Sequence, residues 1–263
     1  METLKRGSFV KLLYREVYLA KKDMRVGTIL FFAFALFCVL IMISFEHGNI
    51  GKMIHYVFGN AETEEARLLN EEKISQIRDS IFGMMKLLPV MMGCQFLMAG
   101  LDVSGRDELL SWQRFARCSP VSPVRRAAAK TVMSLIYLCI SVFLAVLYMN
   151  IVGAVQGRGV TSGEYALAFT VVAFMAAFCT LGQIYTMILH STEKGMLALL
   201  GTIMVPMWIF AFVNGMGKNN EEIEMNSIIE FCETLMPFLP LIVLGVFALG
   251  FAAMYGLYKR REK

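Results

Sequence analysis

The 263-residue sequence has no G-x-x-x-x-G-K-[ST] phosphate loop, so it offers no P-loop cradle for ATP, and any ATP must sit on another chain. It has no H-E-x-x-H pair and no G-x-S-x-G elbow, and no Glu-Glu-x-x-x-Arg pattern lies on an apolar run, which weakens the intramembrane hydrolase readings. Away from their ends the apolar runs also lack Asp and Glu, the residues on which a proton- or sodium-coupled carrier holds its ion. Six cysteines occur without paired spacing: Cys38, Cys94, Cys139 and Cys179 inside apolar runs, Cys118 in a polar stretch and Cys232 in a candidate outer loop, so no disulfide framework is implied. No short basic region followed by a brief apolar core opens the chain, and the first apolar run is expected to remain as an anchor.

What is present is apolar. With 57% hydrophobic and 17% charged residues, 20 Met and 20 Phe, the chain reads as an integral membrane protein. Runs at 27–45, 81–101, 131–153, 164–189, 195–213 and 238–258 each approach or exceed the roughly 20 residues that cross a hydrocarbon core. Residues 1–26 form a basic amphipathic segment: Val10, Leu13, Tyr14, Val17 and Tyr18 share one helical face, and Lys11, Arg15 and Lys22 lie on the other. Its cations suit anionic headgroups better than nucleic acid, because the stripe is apolar and runs straight into a span.

Outer loops are expected at 46–80, with some helix over 62–78, and at 214–237, an acidic stretch reading as a short hairpin or re-entrant segment. His47 and His55 have the wrong spacing for a metal pair and read as solvated. With both termini inside, the inner segments hold eighteen Lys/Arg and the outer ones six, so the positive-inside rule predicts an all-α fold with six transmembrane helices and both termini cytoplasmic.

Within the spans, three residues stand out as transport-path candidates. Lys86 lies close enough to the outer end to snorkel, Gln95 is deeper and equally explained by an interhelical hydrogen bond, and Pro206 is expected to kink its helix. Small residues at Ala173 and Ala177, and at Ala248, Ala252 and Gly256, predict close helix packing.

The polar stretch 102–130 separates two apolar halves. Its first part predicts a short amphipathic helix over 105–118 with Ser104 as N-cap, Asp107 and Glu108 in the first turn, Arg114 and Arg117 in the last, and Ser119-Pro120 as its stop. Leu109, Trp112, Phe115 and Ala116 fall on one side, with Arg106, Gln113 and Arg117 around them. Periodicity does not separate a helix lying on headgroups from a knob that docks into a partner.

The stretch holds Asp102, Trp112 with Phe115, Ser119-Pro120-Val121-Ser122, Arg125 or Arg126, and Lys130. In this order, and with a basic N-terminal helix, six spans and an acidic loop between the last two, the chain resembles the membrane subunits of type-2 ABC exporters. Pro123 stands where that family more often has a basic residue. The resemblance implies that 105–118 is a coupling helix seated in a separate ATP-binding subunit, with Arg106, Leu109, Trp112, Arg114, Phe115 and Arg117 as its contacts. It further implies that 1–26 is the connecting helix, that a second copy or sister permease completes the path, and that ATP and Mg are held by the partner, this chain carrying no cofactor. The implied location is the cytoplasmic membrane, and the implied cargo a hydrophobic or amphipathic peptide, lipid-like molecule or drug. The other classes that the sequence leaves open are a membrane-embedded hydrolase or transferase, and an ATP-independent carrier, sensor or immunity subunit.

Overall fold

A computed structural model of the chain describes residues 2–47, 81–109, 121–157, 159–216 and 225–262, and these are almost entirely helical with no strand among them. The expected loop 46–80 and residues 110–120, with Trp112, Arg114, Phe115, Arg117 and the Ser119-Pro120 stop, lie outside the described residues, except that His47 closes the first helix.

Helix α1, Glu2–His47, is 46 residues long, or about 70 Å at 1.5 Å per residue. No break separates 1–26 from the apolar run, since no proline interrupts them; the basic segment continues the axis of the span instead of forming a second element. One side of it packs: Glu16, Ala20, Gly27, Phe31, Ala35, Cys38, Met42 and Phe45 are buried, spaced three, four or seven residues apart along one helical face. Of the apolar face read from the sequence, Val10, Tyr14, Val17 and Tyr18 are exposed, while Leu13 is half-buried and packs against the core.

The second apolar run is helical over 81–93 (α2), turns at Cys94, and resumes as α3, Gln95–Leu109. Pro89 has no N–H for the carbonyl of Met85, four residues back, and that carbonyl accepts instead from Tyr148 Oη at 2.5 Å. At the turn, Leu97 N–H donates to the Cys94 carbonyl at 2.9 Å, which leaves the Gly93 carbonyl to accept from Ser141 Oγ at 3.1 Å. Both hydroxyls come from the next helix, Pro123–Val155, so the neighbouring helix satisfies what the irregular one gives up.

Helix α4, Pro123–Val155, starts with Pro123 in its first turn, where a missing N–H is harmless, so 123–130 belong to the helix and not to a loop. Helix α5, Ser162–Leu189, opens on a capping box between Thr161 and Glu164 and ends at His190 in the left-handed region, φ 53°. The turn to α6, Thr192–Met216, is thus shorter than expected, and α6 remains helical on both sides of Pro206. Helix α7, Met225–Leu235, a 3-10 turn at Met236–Phe238 and α8, Leu239–Glu262, complete the chain.

Five of these stretches are long and apolar enough to cross a membrane: Phe9–Phe45, Ile81–Glu108, Pro123–Val155, Ser162–Leu189 and Ile229–Arg261. The expected fifth span, 195–213, lies in α6. Helix α5 is central, packing on α3, α4, α6, α7 and α8. Gly182 permits this: a side-chain carbon there would come within 3.2 Å of both Leu101 and Leu199.

On α8 the expected seam is not the packed one. Ala248 and Ala252 are exposed and nothing stands within 4 Å of a side chain added at Gly256. The buried face is Phe247, Gly250, Met254 and Tyr258, because a bulky stripe fills the space beside α5 while Gly250 receives Thr180.

Candidate functional site

Successive side chains on an α-helix point about 100° apart, so three adjacent polar residues face three directions. At the end of α3, Arg106, Asp107 and Glu108 do this, and each direction meets a different part of the bundle. Arg106 turns to α1, donating to the Leu19 carbonyl at 2.8 Å and to Asp23 at 2.7 Å. Asp107 turns between α1 and α4, where it accepts from Arg15 and lies 2.8 Å from Lys130 Nζ. Glu108 turns to the other side, 2.7 Å from Arg261 of α8 and 2.9 Å from His190 Nδ1 at the end of α5, and Arg261 also donates to the Met187 carbonyl.

The middle group is a closed quartet. Arg15 reaches Glu16 at 3.0 Å as well as Asp107, and Lys130 lies 3.7 Å from Glu16 and donates to Ser104 Oγ at 3.3 Å. Two cations face two carboxylates, and the side chains of Asp107, Lys130 and Glu16 are only 2%, 6% and 8% exposed. Charges so far from water persist because each has a partner; removing one strands another at a penalty of about 3–5 kcal/mol. Beside it, Arg126 at the start of α4 lies 5.6 Å from the Tyr258 ring centroid, and Gly105 lets α3 approach the first residue of α6, where an added side-chain carbon would overlap Thr192.

These contacts place Arg15, Asp107, Lys130, His190 and Arg261 at one end of the bundle, and with them the two ends of the chain. The opposite end has its own pairs. Lys86 is buried and bonds to Glu164 in the first turn of α5, and Ser162 Oγ donates to Glu233 of α7 at 2.8 Å. Lys86 therefore has a protein partner and does not snorkel.

The residues singled out from the sequence are distributed as follows. Gln95 Nε2 donates to the Gly27 carbonyl of α1, an interhelical hydrogen bond. Pro206 lies within α6 and Leu109 closes α3. Ser104 is not an N-cap: it lies inside α3, and its hydroxyl bonds back to the Gly100 carbonyl at 3.0 Å, since nothing between 95 and 109 breaks the helix. Asp107 and Glu108 consequently occupy the last turn of the long helix and not the first turn of a new one. Sequence reasoning missed Glu16, Asp23, His190 and Arg261 as partners. Their only signal is the accumulation of both signs of charge at the ends of apolar runs.

Chemically the arrangement is a mechanical tie. The chain leaves α3 at Leu109 and enters 110–120 directly from a turn fastened on three sides, so a displacement there acts on α1, α4, α5 and α8 together. Comparison with protein-family models, with curated proteins and with solved structures finds no match to this chain.

Proposed function

We propose that this chain is the membrane subunit of an ATP-driven exporter of the type-2 ABC kind, with six spans and both ends in the cytoplasm. It moves a hydrophobic or amphipathic substrate, while a separate subunit binds and hydrolyses ATP. The observation that carries the reading is the three-way fastening of Arg106, Asp107 and Glu108 immediately before 110–120. A coupling helix has to hand a partner's motion to the spans, and a loosely attached loop cannot. The motif residues from Asp102 to Lys130 and the absence of a phosphate loop support the same division of labour. In this reading 105–109 are the root of the coupling helix, Leu109, Trp112 and Phe115 enter the partner's cleft with Arg114 and Arg117 beside them, and a second copy or sister permease completes the path.

The test is co-expression with an ATP-binding-cassette subunit, followed by pull-down and substrate-stimulated ATPase in nanodiscs. The chain alone is expected to hydrolyse no ATP. Trp112→Ala removes an aromatic anchor of the kind worth about 2 kcal/mol, a loss of roughly thirtyfold in affinity. If Trp112→Ala and Arg114→Glu insert normally, yet assembly and stimulation stay within about twofold of wild type, 110–118 lies on lipid and 105–118 is not a coupling helix.

A further inference from the structure

Lys21, Lys22 and Arg25 take no part in the ion pairs described above. All three are exposed, and none pairs with a carboxylate among the described residues. Together with Arg106 of α3, and with Tyr18, Leu19 and Val26, they line a concavity of about 530 Å3. Two carboxylates stand near: Asp23, 2.7 Å from Arg106, and the exposed Asp102, which interacts with both. Four cations against two carboxylates leave an excess of two positive charges.

Its level in the bundle is informative. The apolar run of α1 begins at residue 27, and at 1.5 Å per residue Lys21, Lys22 and Arg25 lie within about 10 Å of that boundary, the depth of the headgroup layer. Tyr14 and Tyr18 lie on the same side as these cations, Lys22 included, and not opposite them as expected, because Tyr18 and Lys22 are one helical turn apart. Both rings are exposed and stacked with centroids 6.5 Å apart, as aromatics at a membrane interface are. Next along the helix, Val26, Ile29 and Leu30 are exposed and apolar. The order along one face is therefore aromatic, cationic, apolar, and Arg106 adds a cation from a second helix.

We propose that this concavity binds the phosphate of an anionic phospholipid, with its acyl chains along Val26, Ile29 and Leu30. Arg106 makes it more than a basic stripe. A lipid held there touches α1 and the end of α3 at once, one residue from the buried quartet.

The full chain, purified in detergent, is titrated with phosphatidylglycerol or phosphatidylcholine, and bound lipid is counted by native mass spectrometry. Phosphatidylglycerol is expected to be retained at lower concentration. Lys22→Gln with Arg25→Gln should weaken it by roughly thirtyfold, from about fivefold per cation at an anionic surface. Lys11→Gln, on the same helix but outside the concavity, should change it less than about twofold, below the effect of one surface cation, and Lys22→Arg with Arg25→Lys should keep it. Unfolding temperatures without lipid should match wild type, because these side chains are exposed. Equal retention of phosphatidylcholine, or an equal loss with Lys11→Gln, overturns the proposal. Displacement by millimolar inorganic phosphate overturns the lipid assignment, since a site for the bare ion has no use for the apolar face.

Discussion

Lys130 is buried between two carboxylates: it lies 2.8 Å from Asp107 and 3.7 Å from Glu16, with 6% of its side chain exposed. Lys130→Met keeps the stem and removes the charge, leaving Arg15 to face two buried carboxylates. The expected loss is about 3–5 kcal/mol, read as a fall in unfolding temperature in detergent. Adding Asp107→Leu should recover most of it, because Arg15 and Glu16 remain paired at 3.0 Å and no buried charge is then alone. A double variant no more stable than the single one would show that shape, and not charge pairing, holds this end. None of these pairs was legible in the sequence, although every charge was visible. Which way Arg106, Asp107 and Glu108 point depends on the helix phase at 104–108, and starting a new helix at Ser104 assigns them to its first turn. Only the continuity of α3 from Gln95 turns the three adjacent charges toward α1, α4, α5 and α8.

At the scale of elements the apolar runs were readable because their length alone decides them, and four of the six fall within helices long and apolar enough to span, with a fifth, 238–258, inside Ile229–Arg261 counted with its short preceding helix. What could not be read was where they join and which side packs. The absence of any breaker in α1 fuses two expected segments, and on α8 the small-residue stripe lost to Phe247, Met254 and Tyr258 because packing depends on the partner helix. The irregularity between α2 and α3 makes a sharper test. If Pro89 is the reason that the Met85 carbonyl needs Tyr148, then Tyr148→Phe should cost about 1 kcal/mol in the native sequence. In a Pro89→Ala background the backbone N–H returns to Met85, and the same substitution should cost clearly less. The double-mutant cycle in stability measures that coupling, and additive losses would refute the exchange of partners.

For the whole molecule, the pairs Arg15–Asp107 and Glu108–Arg261 hold α1 and the last turn of α8 at the same end of the bundle, an arrangement that the proposed six spans require. That geometry is symmetric with respect to the membrane, and charge breaks the symmetry. In the sequence, the segments assigned to the inner side hold eighteen Lys/Arg and those assigned to the outer side six, and the proposed orientation puts the richer side in the cytoplasm. Single cysteines report it directly. Arg158→Cys and Lys218→Cys, in the sequence between α4 and α5 and between α6 and α7, should react with a membrane-impermeant maleimide in intact cells. Arg114→Cys should react only after the membrane is opened, all three being made in a chain from which the six native cysteines have been removed. Labelling at 114 alone, with 158 and 218 silent, would invert the molecule and refute the proposal that 110–120 meets a cytoplasmic subunit. Labelling at 114 and 158 together would be harder on the fold, because α4 would then not cross, although its 33 residues include Lys130 at one end and Tyr148 near the other, each bonded to a helix end on its own side.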